Sequence, residues 1–245
     1  MEPHLYPIPK SNLLKRFTPV FSQFQKARHS TVVALPYGGR SSHLRFINSQ
    51  PELQIELGKP ENDTFVWVET KSAKNFTQLA TQICVALDQS LLTNPILVSQ
   101  DDYLVATLLQ STINKIPHPI ILCLTLGRAN IDIHPDVEHQ FVLLIKQCPN
   151  LKILWSLDSF SLRNYHPGHT STPIVESVFY LPSFSKVETD HSLKRTAKNR
   201  DKTLSSKLLS KSMELTGGLA GLFHLLVFQG ENFLHTPQVQ EILKT

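Results

Sequence analysis

Cysteine is scarce in this sequence: Cys84, Cys123 and Cys148 are the only three in 245 residues, odd in number, widely spaced and each set in an apolar segment. That argues against a disulfide framework or a cysteine-based zinc site, and the three read as small buried hydrophobes in a reducing compartment. No apolar run approaches the roughly 18 residues of a membrane span, and Met1 to Lys10 lacks the apolar stretch of a signal peptide. The expected location is the cytoplasm, with no membrane contact. Strong charge of one sign is also missing, since 24 Lys and Arg against 20 Asp and Glu leave a formal +4, too little by itself to argue for nucleic acid. Internal repeats and low-complexity stretches are absent too. What is present, 41% hydrophobic and 18% charged residues, suits one sizeable core and a smaller subdomain.

The pattern along the chain alternates. From Ser11, the residues Leu13, Leu14, Phe17, Phe21 and Phe24 recur at helical intervals, with Pro19 expected to break or kink the helix or to divide it into two short ones. Thr31 to Leu35 is a short apolar β-branched run that stops at Pro36 and the pair Gly38-Gly39, after which Ser41 to Asn48 can form a helix. Further strands are expected at 65–69, Pro119 to Leu126, 151–157 and 174–181, separated by helical patterns over Ala73 to Leu87, Tyr103 to Ile116 and Asp136 to Gln147. Near-continuous apolar strands between helices predict an α/β fold with a parallel five-stranded sheet covered on both faces. Beyond Pro182 the texture turns basic and helical, so an α/β core over 1–181 and a helical lid over 182–245 are expected. The closing HTPQVQEILKT starts another helical pattern, as in part of a longer polypeptide.

The glycine turn has a chemical reading. The motif GxxxxGK[ST] cradles phosphates on backbone N–H groups at a helix N-terminus; its lysine reaches the terminal phosphates and its hydroxyl binds magnesium. Here the stretch is Ala34-Leu-Pro-Tyr-Gly-Gly39-Arg40-Ser41, in which the second glycine and the hydroxyl match, while Ala34 replaces the first glycine and Arg40 the lysine. A strand before and a helix after strengthen the match. TVVALPYGGRSSHLRFI, with LTGGLAGLFHLL (215–226) and the junction YLPSFSKVETDHSLKR (180–195), resembles the AAA+/STAND group of P-loop ATPases over Leu13 to Gln229. The resemblance implies a P-loop after the first strand of a parallel sheet and ATP or ADP held between core and lid, with Tyr37, Gly38, Gly39, Arg40, Ser41 and Ser42 as the residues that meet it.

The departures from that family bear on function. Its second strand motif is an apolar strand ending in acids that hold magnesium and polarise water, but PIILCLTLGRAN (119–130) has no Asp or Glu, and Asp132 comes too late. Arginine at position 40 carries charge but cannot enter a lysine-shaped cradle in the same way. Two catalytic parts are thus altered, in a reaction that relies on positioning and electrostatic stabilisation. The expectation is a degenerate ATPase-like module, regulatory or interacting, with weak or lost nucleotide binding, no firmly held magnesium and little hydrolysis. An active ATPase using Arg40 and an acid from elsewhere is one alternative. A DNA-associated regulator is another, since relatives often carry a winged helix after the lid.

Other residues favour plainer readings. Ser41 and Ser42 also suit a helix first turn, and Ser156, Asp158 and Glu69 suit polar strand ends, although the family places a phosphate sensor where Ser156 and Asp158 stand and Glu69 could replace the missing acid. His166 and His169 have metal-compatible spacing but no third ligand nearby. No Ser-His-Asp or Cys-His set is identifiable. Lys194, Arg195, Lys198, Arg200, Lys202, Lys207 and Lys211 against the single Asp201 could track a phosphate backbone. Without interleaved aromatics they read better as the solvated face of lid helices, with DNA contact through Lys194 to Lys211 the lesser reading.

Overall fold

A computed structural model describes residues 6–26, 28–70, 73, 75–99, 101–125, 135–159, 176–235, 237 and 239. The elements are α1 (Lys10–Gln25), β1 (Ser30–Ala34), α2 (Arg40–Asn48), α3 (Pro51–Glu56), β2 (Thr64–Glu69), α4 (Phe76–Leu87), a 3-10 turn (Gln89–Thr93), α5 (Pro95–Ser99), α6 (Asp102–Lys115), β3 (Ile120–Thr125), α7 (Pro135–Gln147), β4 (Leu151–Asp158) and β5 (Val178–Leu181). After β5 come α8 (Lys186–Lys198), α9 (Ser206–Thr216), α10 (Ala220–Gln229) and a second 3-10 turn (Gly230–His235). The five strands form one parallel sheet in the order β2-β3-β4-β1-β5. β1 therefore lies inside the sheet, between β4 and β5, as its fully buried sequence STVVA requires.

The chain forms two compact units: Met1–Arg16, Ala34–Phe46 and Leu181–Thr245 in the first, Phe17–Val33 and Ile47–Tyr180 in the second. In the second, period-2 alternation sorts each strand onto two faces. Ile120, Leu122 and Leu124 of β3 and Leu151, Ile153, Trp155 and Leu157 of β4 share a core with Leu79, Ile83, Val105, Leu109 and Phe141 from α4, α6 and α7. On the opposite face Phe21 of α1 stacks on Phe65 of β2 at 5.6 Å and meets Phe24 edge-on at 5.8 Å. Lys152 reaches Asp63 at 2.5 Å across that unit. The three cysteines are buried free thiols, and burial pushes Cys84 up to about 12, which makes it unreactive.

Local chemistry sets the ends of the helices. Asn75 accepts from the Gln78 N–H, Asp101 from Leu104, Ser185 from Glu188 and Ser205 from Leu208, and Gly217 closes α9 in the left-handed conformation at φ 57°. Pro19 neither breaks nor divides α1, which is one 16-residue helix. Its carbonyl accepts from Ser22 Oγ at 3.0 Å and Gln23 Nε2 at 3.3 Å. Replacing Asp101 by alanine removes a cap and is expected to cost about 1 kcal/mol, read as a lower urea midpoint with an unchanged m-value.

Candidate functional site

In the first unit the chain leaves β1 at Ala34 and turns, with Gly38 N–H donating to the Leu35 carbonyl at 2.9 Å. Tyr37 and Gly39 both take left-handed backbone, at φ 63° and 80°. α2 begins at Arg40, and its His43 N–H donates to the Gly39 carbonyl at 3.0 Å. The structure thus gathers Tyr37, Gly38, Gly39, Arg40, Ser41 and Ser42 into a turn feeding a helix N-terminus, where first-turn N–H groups have no intrahelical acceptor and anions are favoured. Arg40 is 8% exposed, Ser41 is half-buried and Ser42 is exposed.

Lid residues pack directly on this turn. Gly221 N–H donates to the Tyr37 carbonyl at 2.7 Å. A Cβ on Gly39 would come within 2.8 Å of Ala220 Cβ and 3.2 Å of Phe184 Cζ, and one on Gly221 within 2.8 Å of Tyr37 Cβ. Glycine at 39 is therefore required by its positive φ and by this packing, with or without a bound nucleotide.

Phe184 is held from several directions. Its N–H donates to the Gly218 carbonyl at 2.9 Å. Its ring lies over His43 at 5.3 Å and against Phe223 at 5.5 Å, and the Arg16 guanidinium sits 5.3 Å from its centre. Arg16 Nε and Nη2 each donate to Glu188 at 2.7 Å, while Nη1 and Nη2 donate to the Pro182 and Ser183 carbonyls at 2.7 and 3.1 Å. Glu188 also accepts from the Ser185 N–H at 2.7 Å, completing a capping box at the start of α8. Sequence reasoning missed this clamp; the signal was S-x-x-E at 185–188, which marks a helix start but not its partner.

These contacts set the local protonation states. Burial pushes the Glu188 carboxyl up, but the hydrogen bonds from Arg16 and Ser185 outweigh it and bring it from 4.5 to about 2. Burial, with Arg16 adding to it, lowers His43 to about 3, so His43 is neutral near pH 7 and offers no positive charge to a phosphate. A depressed carboxyl stabilises the fold fully above 4.5, and that contribution disappears as pH falls through the window down to about 2. Glu188→Gln is expected to flatten the urea midpoint across this acidic window and to cost roughly 3–5 kcal/mol at neutral pH, because it strands Arg16.

In the second unit, Thr125 of β3 and Ser156 of β4 are register partners. Both alternate onto the face opposite the α4–α6–α7 core. Thr125 ends β3. Its Oγ1 accepts from Trp67 Nε1 at 2.9 Å, and its carbonyl accepts from the Thr70 hydroxyl. Ser156 is 0% exposed and its Oγ has no hydrogen-bond partner among the described residues, while Asp158, at the end of β4, is 6% exposed. Among the described residues no group of three His, Cys, Asp or Glu could hold a metal. Glu69 ends β2, but its side chain is outside the described residues, as are Asp132, His166 and His169.

No protein-family model matches the sequence, and a comparison with curated proteins finds no match. Solved structures do match. The chain resembles the Aeropyrum pernix ORC1 protein solved in complex with DNA, with a TM-score of 0.63 and 14% identity, over 91% of this chain and 60% of that one. It resembles Cdc6p from Pyrobaculum aerophilum with a TM-score of 0.61 and 16% identity, over 92% and 62%. A Walker-type ATPase of Pyrococcus abyssi matches with a TM-score of 0.55 and 14% identity, over 96% and 71%. The chain thus spans about three fifths of the first two proteins, and it has the P-loop NTPase fold of the AAA+ type. Among the described residues no helix is long and apolar enough to cross a membrane.

Proposed function

We propose that this chain is an ATPase-like module that has lost efficient hydrolysis, binds ATP or ADP weakly or not at all, and acts as a regulatory or interaction domain. The observation that carries this reading is the end of β3. Thr125 stands there in place of an acid, engaged by Trp67 and Thr70, and the strand IILCLT supplies no carboxylate. Phosphoryl transfer relies on charge placed around the transferring group, so a missing acid and an arginine at position 40 remove most of the driving interaction. Any nucleotide would meet the backbone from Tyr37 to Ser42, with Arg40 as the cation of that loop. The working division is a core over 1–181 and a lid over 182–245.

Asp158, buried at the end of β4, favours a second reading, an ATPase in which this acid and Arg40 replace the usual groups. DNA is the weaker partner reading. It rests on the basic stretch Lys194 to Lys211 and on the likeness to a protein solved with DNA.

Purified protein with ATP and magnesium is expected to release phosphate no faster than a protein-free control, and Arg40→Ala is expected to change nothing. Turnover that vanishes on Arg40→Ala would favour the Asp158 reading. The pair Arg40→Lys with Thr125→Asp is expected to recover magnesium-dependent nucleotide binding; a folded double variant that binds none would mark the loop as a structural remnant.

A further inference from the structure

The start of β1 is fastened by a histidine. His29 stands one residue ahead of the strand and is half-buried. Its backbone N–H donates to Glu176 Oε2 at 2.9 Å, and the N–H of Ile153 on β4 donates to its ring nitrogen Nδ1 at 3.1 Å. Thr31, two residues on, donates its N–H to the Ser177 carbonyl at 2.8 Å. β1 runs between β4 and β5, so His29 ties its start to β4 through the side chain and to the approach to β5 through the backbone. All of these residues belong to the second unit.

An N–H along a parallel ladder ordinarily donates to a main-chain carbonyl, which does not titrate near neutral pH. An imidazole in that role does. Nδ1 accepts a hydrogen bond only from the neutral ring that carries its proton on Nε2, whereas in the imidazolium both nitrogens are donors. Protonation would therefore set one donor against another. Ile153 is 0% exposed, so solvent does not readily replace the acceptor its N–H would lose.

The surroundings pull the ring both ways. Burial lowers the His29 pKa from 6.5, and the Glu176 carboxylate acts in the opposite direction. On the other elements that meet here, Lys152 of β4 is paired with Asp63 at 2.5 Å, and Lys26 and Arg28, between α1 and β1, are exposed. Burial prevails over Glu176. The fold thus favours the neutral form that the hydrogen bond needs; this contribution is fully present above 6.5 and is lost as pH falls through the lowered value.

We propose that His29 is a proton-operated joint in the sheet: its neutral ring holds β4 to the start of β1, and its protonation releases the Ile153 N–H and loosens the sheet there. The Thr31 to Ser177 bond, in which the ring takes no part, stays closed. Acid then opens one side of β1 locally before it unfolds the unit.

Nuclear magnetic resonance on the intact wild-type chain tests this. The imidazole nitrogen shifts should show Nε2 protonated and Nδ1 bare near neutral pH. Amide exchange, corrected for its intrinsic pH dependence, should show the protection of Ile153 falling at least ~10-fold relative to that of Thr31 as the ring takes up its proton. In His29→Asn, whose Oδ1 can stand in for Nδ1 without titrating, the ratio should stay constant over the same range. Glu176→Gln should move the midpoint to lower pH, because it removes the charge that favours the imidazolium. A proton on Nδ1 near neutral pH, or a ratio that does not change while the ring titrates, would overturn the proposal in the wild type alone, whether or not the variants fold. A folded His29→Asn chain whose ratio falls as the wild type's does, or a Glu176→Gln midpoint that moves up, would overturn it as well.

Discussion

The buried pair of Arg16 and Glu188 is the contact on which the first unit depends. Its two partners are 8% and 3% exposed, and charges so far from water destabilise a fold unless their hydrogen bonds are satisfied. Here they are. The guanidinium donates to both carboxylate oxygens and to two carbonyls, the carboxylate takes a further N–H from Ser185, and the guanidinium lies over Phe184. Planar bidentate recognition of this kind is specific to arginine. One side chain of α1 thereby fixes the exit from β5, the start of α8 and the aromatic ring that meets Gly39 and His43.

That arrangement separates the shape of the glycine turn from its chemistry. The positive φ angles of Tyr37 and Gly39, the Gly221 to Tyr37 hydrogen bond and the close approach of Ala220 need no ligand to explain them. A loop held this firmly by its own lid can keep the backbone of a phosphate cradle after the charges that make it catalytic have gone. Glycine in such a loop is evidence of fold, whereas a lysine and a strand-end acid would be evidence of chemistry. This chain has the glycine, with Arg40 in the lysine position and Thr125 at the end of β3.

Most of the sheet was legible in the sequence, because apolar strands between helical patterns have few solutions. Each expected strand appears, with ends displaced by up to a few residues; the fifth begins at Val178. Of the options open for Pro19, the single helix is the one that forms: a proline removes one hydrogen bond, and the packing of Phe17, Phe21 and Phe24, all 0% exposed, holds α1 together through it. The short helices α3 and α5 went unread; both begin with proline at the first position after Gln50 and Asn94, a start signal without enough length to show a period. The turn after β1 and the helix start at Arg40 were legible from Gly38 and Gly39. The partners of Thr125 were not, because Trp67 and Thr70 reach it through sheet register, which a linear sequence does not display.

The central claim is that the phosphate-cradle geometry persists without the groups that bind a metal–nucleotide complex. Calorimetric titration of ATP into the intact chain, once with magnesium and once with a chelator, tests it most directly. The account predicts the same weak or absent binding in both. Binding that magnesium tightens by tenfold or more, about 1.4 kcal/mol, would contradict it, because the ion would then have found ligands that Thr125 and its neighbours do not supply.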